Sequence, residues 1–486
     1  MSGNKLQPAE VLIVGTGVTG LLTALYIQRH HPDWKVSIIE DQFSSTLPVG
    51  ENLHMSAFRF ICDVLDQPMQ VTVKQMVNHN CVLKLGTKFT NWNSNLPVYW
   101  HLAGGSLINS WGDGLAESWL ANNTDDPNPL RYNQEVNGHL INMVQHHRLP
   151  QSIFDSLDFP AMFVDAGTIC KFFKSHICNA SWINSSVTSV TEDDHQCFVT
   201  TQDGITHTAD WIFDCTGFKR VLIQHFSKFN TIKTSVVNSA LVQHHSHVTD
   251  IPVTMNAQAM NHGWLFQIPM QTRIGNGYVF NRDLTSVDQF EKEFDQATTQ
   301  PINNKNIIRW HPSKAQRPWY KNLIALGPSA AFNEPLLGTS IELTTRSIAR
   351  ACKTIVDNIS NKQEFYDQWL ELQLYFINNK ILGMYAKAPG TDTDFWKYAK
   401  QHAQDLDVMA HWNYITEEDG FVTAQQKYGD IIWNKDYWIS GRVLAGIKTK
   451  VCLRDKQQSM AWAKSMINQP IKTVSTQQLY AKIKTL

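Results

Sequence analysis

Gly15, Gly17 and Gly20, in the run AEVLIVGTGVTGLLTALYIQRHHPDWKVSIIED, constrain this chain more than any other feature. Val11 to Val14 form a continuous apolar run, as expected of a strand buried on both faces. Leu21 to Arg29 carry helical spacing, and KVSIIE supplies a second strand. The glycines match G-x-G-x-x-G between strand and helix, and Glu40 follows the last of them by 20 residues. Each position has its own physical requirement. Gly15 permits the turn, Gly17 lets backbone approach a pyrophosphate, and Gly20 allows the helix to pack closely. The helix N-terminus, with Val18 and Thr19 in its first turn, faces the phosphates, and Glu40 accepts a ribose hydroxyl. This pattern admits NAD or FAD equally.

Later segments favour the flavin. DCTGF (with Asp214 and Gly217) and IALGPSA (with Gly327) are again buried strands running into glycine turns. The loop VGE (Val49, Gly50, Glu51) follows the second strand and is placed to strap over an isoalloxazine. The helix begun in FVDAGTICKFFKSH is expected to turn Ile169, Phe172 and Phe173 inward. SVTSVTEDD and CFVTTQDGITHTA read as strands with Asp-Gly as a turn. From about residue 341 the pattern is mainly helical. The fold class is α/β: an FAD-binding GxGxxG (Rossmann-like) monooxygenase-type module with a mixed substrate sheet and a mainly helical C-terminal subdomain. The boundary is placed near 350, giving 1–350 and 351–486.

Composition excludes several classes. The 486 residues are 17% charged with net charge −1, so nothing steers the chain toward nucleic acid or a membrane surface. No apolar window approaches a membrane span, and no basic-then-apolar leader opens the sequence, so a cytoplasmic protein is expected. The eight cysteines lack any CxxC pair and read as reduced, packed thiols. The His30–His31, His146–His147 and His244–His245–His247 clusters lack metal-ligand spacing and read as surface histidines; no metal is expected.

CVLKLGTKFTNWN is less easily classified. With period two, Val82, Lys84, Gly86 and Lys88 share one face, and Leu83, Leu85, Thr87 and Phe89 the other. Read alone, this is an amphipathic strand with Lys84 in water.

Together with LPVGE, LKLGTKFTNW, YWHLAGG, FVDAGTICKFF, DWIFDCTGF, HGWLFQIPM, GNGYVF, NEPLLGTSI and TDTDFW, the glycine motif resembles the flavin-dependent halogenases of the tryptophan-halogenase family. The resemblance covers most of residues 8 to 400. It implies FADH2 supplied by a separate NADH-dependent flavin reductase, O2 and halide as co-substrates, and hypohalous acid as the oxidant. That acid reaches an essential lysine, here Lys84, beside a small aromatic substrate of indole or phenol type, which undergoes electrophilic substitution. Lys88 competes for the role on residue type, but the register of LKLGTKF matches Lys84. Thr339 and Ser340 match the backbone halide site. Tyr99, Trp100, His101 and Glu334 match substrate-pocket positions, and Leu337 lies at the cofactor edge. The family box W-x-W-x-I-P is Trp264, Phe266, Ile268 and Pro269 here, with Phe for the second Trp. Leu337 also stands where the family carries the Glu that assists the lysine; Glu334 and Glu342 are the nearby acids. A site without that Glu is expected to favour bromide or iodide, which are easier to oxidise than chloride. A homo-oligomer is expected. The alternative is a flavin-dependent aromatic monooxygenase or oxidoreductase that makes no carbon–halogen bond.

Overall fold

Val11 to Val14 are almost wholly withdrawn from water, and fully burying each such side chain contributes about 1.5–3 kcal/mol. They form the strand Glu10–Val14 of a six-stranded sheet. The order runs Trp319–Tyr320, Leu323–Ala325, Trp211–Asp214, Glu10–Val14, Lys35–Glu40, Ala180–Asn184. All neighbours are parallel except the edge pair Trp319–Tyr320 and Leu323–Ala325. The computed structural model describes residues 9–41, 50–93, 96–102, 115–123, 128–136, 148–150, 161–246, 251–298, 306–386, 392–417, 456–468 and 473–485, with 423, 426, 443 and 444.

Two units interleave along the chain. The first comprises Met1–Asn80, Val164–Lys233 and Trp310–Leu374, and holds the parallel sheet. Its helix Val18–His30 begins at Gly17, which has no side-chain cap, and closes with Arg29 and His30 where cations suit the dipole. The helix expected after Phe163 starts at Ala166, because Asp165 accepts from the Gly167 and Thr168 N–H groups (3.1 Å each) and caps it. Ile169, Phe172 and Phe173 are buried as anticipated. Asp203–Gly204 turns the strand Cys197–Thr201 back into Thr206–His207, with Gly204 at φ +80°.

The second unit comprises Cys81–Phe163, Thr234–Arg309 and Tyr375–Leu486. Its mixed seven-stranded sheet runs Asn306–Arg309, Ser239–Ser246, Arg273–Phe280, Gly263–Pro269, Thr254–Met260, Gly86–Thr90, Val98–Leu102. Only Thr254–Met260 with Gly86–Thr90 is parallel. Past residue 340 the described elements are helices apart from the short strand Thr473–Ser475.

The period-two reading of residues 82–89 fails at its middle. The run is two strands, Val82–Lys84 and Gly86–Thr90, lying in different sheets. Leu85 is the switch, its N–H donating to Val253 O at 2.7 Å. Val82, Leu83 and Lys84 are all buried, so Lys84 does not face water. Among the described residues no helix is long and apolar enough to cross a membrane, and no group of His, Cys, Asp and Glu is arranged to hold a metal ion. His146, His147 and His247 lie outside the described residues; His30 pairs with Asp63 at 2.6 Å.

Candidate active site

The three glycines of the first turn meet three different surroundings. Gly15 has φ +108°, and a Cβ there would lie 2.6 Å from Cys215 O. A Cβ on Gly20 would lie 1.9 Å from Gly15 O, so the helix is seated on the turn. A Cβ on Gly17 would meet nothing within 4 Å. That open side, at an uncapped helix N-terminus bearing unpaired N–H groups, fits a pyrophosphate. Gly327 (φ +60°) rests against the same helix, where a Cβ would come 2.5 Å from Thr19 Oγ1. Glu40 is engaged: Lys174 Nζ donates to both its oxygens at 2.7 Å, while standing 4.5 Å over the Trp182 ring. Nothing in the sequence flagged Lys174.

Asp214 is fully buried and saturated by protein donors. Its Oδ1 accepts from Thr216 N (3.0 Å), Thr216 Oγ1 (2.6 Å) and Ser329 Oγ (3.1 Å), and its Oδ2 from Leu222 N (3.1 Å) and Ile223 N (2.8 Å). Ser329 Oγ also lies 3.1 Å from Gly217 O, so its one hydroxyl hydrogen is shared between the two oxygens. The carboxylate therefore ties the Gly217 turn (φ +64°) to the Gly327 turn. It organises the cradle from beneath.

Val49 lies outside the described residues. Gly50 and Glu51 open the strand Gly50–His54, and burial pushes the Glu51 carboxyl up to about 7. From the same strand, Asn52 and His54 reach the loop before the helix Ser340–Val356. In that loop Leu337 (φ +70°) and Gly338 (φ +60°) are consecutive left-handed residues. For Leu337 this costs about 1–2 kcal/mol. Asn52 Nδ2 donates to Leu337 O at 3.1 Å, and His54 Nε2 lies 3.1 Å from the same oxygen. Thr339 is the helix N-cap, without a side-chain cap bond, and Ser340 is the first helical residue. Their N–H groups belong to the donors a helix leaves unpaired at its start, an arrangement suited to an anion. Glu334 is buried. Burial pushes the Glu342 carboxyl up, but Arg346, His54 and Ser56 together reverse this and hold it below the ordinary range. Arg346 Nε donates to Glu342 Oε1 at 2.5 Å.

In the second unit Lys84 is only 4% exposed, between strand neighbours Leu83 and Leu85. Its strand pairs with residues 161–163, and Nζ stands 5.3 Å from the Phe163 ring centroid. Desolvation by burial pulls its pKa from 10.5 to about 7, because withdrawal from water disfavours the charged form. Tyr480, unforeseen from sequence, accepts at its hydroxyl from Leu83 N (2.9 Å) and steadies this strand. Lys88 is half-buried, with Nζ 5.9 Å from the Trp100 ring.

Tyr99, Trp100 and His101 pair with Phe89, Lys88 and Thr87 across the sheet, and all three are buried. Tyr99 stacks on Phe89 at 5.1 Å, and burial raises its phenol strongly. Trp264 Nε1 donates to Tyr385 OH at 2.9 Å. Trp92 meets Trp264, Tyr385 and Trp396 edge-on at 6.1, 5.6 and 5.6 Å, so NWN, HGWLFQIP and TDTDFW converge on one aromatic cluster. Phe266, beside Trp264 and ahead of Ile268 and Pro269, lies opposite Gly277, where a Cβ would come 2.1 Å from its ring.

A family model described as tryptophan halogenase matches residues 10–459. The tryptophan 7-halogenase KtzQ of Kutzneria is 24% identical over 441 residues, which span 82% of this chain and 80% of that protein. Among solved structures, a tryptophan halogenase from Shewanella frigidimarina superposes with a TM-score of 0.82 at 17% identity, covering 98% of both chains. BrvH, a flavin-dependent halogenase from Brevundimonas, gives 0.74 at 21% identity, covering 98% of this chain and 96% of its own. These superpositions speak for the fold.

Proposed function

The chain belongs to the tryptophan halogenase family, and from that premise we propose that it is an FADH2- and O2-dependent halogenase of an electron-rich indole or phenol, acting through Lys84. The observation that carries this reading is the buried Lys84 amine, brought by desolvation to about 7. Bound FADH2 supplies two electrons to O2, so that halide and a proton leave as hypohalous acid, with oxidised flavin and water.

The chain's own residues do the rest. The backbone at Gly15, Gly17 and Gly20 admits the pyrophosphate, and the Thr339 and Ser340 N–H groups hold the halide. Hypohalous acid is small and indiscriminate, so selectivity requires that it be captured at one place. A neutral Lys84 amine attacks the halogen, forming an N–halogen bond and releasing water. Transfer of the halogen to a ring carbon then returns the ring proton to the nitrogen. This balance needs no second carboxylate, which suits a chain with Leu337 at the position of the family's Glu. The burial of Lys84 keeps water from competing. Tyr99, Trp100 and His101 offer ring surfaces for the substrate. A separate NADH-dependent flavin reductase supplies FADH2.

The test is incubation with FAD, flavin reductase, NADH, bromide and an indole panel, read by mass spectrometry. A bromine isotope doublet that disappears in Lys84→Ala, with methionine present to scavenge free oxidant, supports the reading. A product that gains one oxygen instead is the outcome for the alternative, a flavin monooxygenase. Bromide and iodide are preferred over chloride; side-by-side turnover with the three halides checks this, and a clear chloride preference sinks it.

A further inference from the structure

The loop that ends in Thr339 and Ser340 is held from one side by a single strand. Asn52 Nδ2, His54 Nε2 and Leu337 O form a triangle with sides of 3.0, 3.1 and 3.1 Å. A carbonyl oxygen only accepts, and a primary amide carries two N–H donors. One Asn52 N–H goes to Leu337 O, and His54 Nε2 lies within hydrogen-bond reach of both, accepting from the amide when it carries no proton and donating to the carbonyl when it does. In either form the imidazole braces the pair of amide and carbonyl.

The Asn52 stem makes a second contact. Gly338 has φ +60°, and a Cβ there would lie 2.4 Å from Asn52 Cβ. The peptide plane carrying the Leu337 carbonyl also carries the Gly338 N–H, which donates to Pro335 O at 3.0 Å. The next peptide plane carries the Thr339 N–H, and the one after it the Ser340 N–H. Two successive left-handed residues, one of them a leucine, do not persist unless surrounding contacts determine them. Asn52 supplies those contacts by hydrogen bond and by packing.

We propose that Asn52, braced by His54, is the positioning residue that sets the Thr339 and Ser340 N–H groups for halide. The proposal rests on the halogenase reading for the identity of the anion. Neither side chain touches the halide; both act through the Leu337 carbonyl.

The test uses the full chain and the variants Asn52→Ala, Asn52→Asp, His54→Leu and His54→Gln. Halide affinity is read directly by halide NMR line broadening, alongside the bromide KM, the indole KM and the melting temperature. Losing one positioned hydrogen bond predicts a rise of about tenfold in halide Kd and bromide KM for Asn52→Ala, Asn52→Asp and His54→Leu. The indole KM stays within about twofold, as expected when only halide binding is removed. His54→Gln keeps a side chain that can accept from the Asn52 amide or donate to the Leu337 carbonyl, and restores halide affinity to within about threefold of wild type. Asn52→Asp is nearly isosteric and covers the case in which Asn52→Ala does not fold. Halide Kd unchanged in Asn52→Asp and His54→Leu overturns the proposal, as does a loss of indole and halide binding in step with the melting temperature. A wild type that makes no halogenated product, yet whose halide Kd moves in these variants, refutes the halogenase reading and supports this one. A wild type that halogenates with an unmoved Kd does the reverse. Absence of halide binding in the wild type overturns both.

Discussion

Lys84→Met tests whether the chain keeps a buried amine at the expense of its own stability. Methionine matches the length of the lysine stem and removes the charge. The folded lysine has its pKa at about 7, against 10.5 ordinarily. At about 1.4 kcal/mol per pH unit of difference, the ammonium destabilises the folded chain by roughly 4–5 kcal/mol. The sign follows from the depressed value. The unfolded chain binds the proton more tightly, so stability is fully present above pH 10.5 and is lost as pH falls toward 7. Below that the loss is constant. The methionine variant has no such dependence, so it should exceed wild type most near neutrality and below, and the gap should close on the way to about pH 10. For 486 residues the melting entropy is about 1 kcal/mol/K, which converts the gap to roughly 4–5 °C. Thermal unfolding of both proteins across that range is the assay, with halogenation followed in parallel under methionine scavenging. Expected are a more stable protein at neutral pH and no halogenated product. A melting difference that is flat with pH refutes the electrostatic reasoning; full halogenation by Lys84→Met refutes the assignment of Lys84.

Two of the motif glycines separate structure from binding. Gly17→Ala should fold normally and bind FAD more than about tenfold more weakly, because its Cβ projects into space suited to phosphate; Gly20→Ala, with its Cβ 1.9 Å from Gly15 O, should unfold the first unit. Titration of flavin fluorescence and circular dichroism distinguish the two outcomes. Gly277→Ala forces its Cβ to within 2.1 Å of the Phe266 ring, at a cost of about 1–3 kcal/mol that Phe266→Leu should relieve in the double variant. A double-variant cycle in urea measures the coupling.

What the sequence made legible divides along physical lines. The parallel sheet, the glycine turns and the inward face of Ile169, Phe172 and Phe173 all follow from local periodicity, and they appear as read. Lys84 was harder, since alternation places it on a strand face without saying whether that face is covered. Its burial comes from two strands in different sheets meeting at Leu85, a tertiary fact. Asn52, His54, Lys174, Ser329 and Tyr480 escaped notice for a related reason. Each acts on a residue distant in the chain or through backbone groups, and common polar residues carry no local pattern for that. Trp92 and Trp396 were recognised within matching segments, whereas their edge-on meeting with Trp264 needed coordinates.

The carboxylate of Asp214 imposes an order on biosynthesis. Four of its five donors come from within nine residues, but the fifth, Ser329, lies 115 residues away. The strand Leu323–Ala325, which lies beside Trp211–Asp214, arrives with it. The glycine turn at Gly15 leaves the ribosome first, yet Ser329 follows only about 15–60 s later at ordinary elongation rates. From the emergence of Ile223 until then, the nascent chain displays a nucleotide motif whose underlying carboxylate is one donor short and whose sheet lacks the strands Trp319–Tyr320 and Leu323–Ala325. Flavin capture is therefore an event of the last third of synthesis, and a chain stalled before residue 329 should emerge without cofactor.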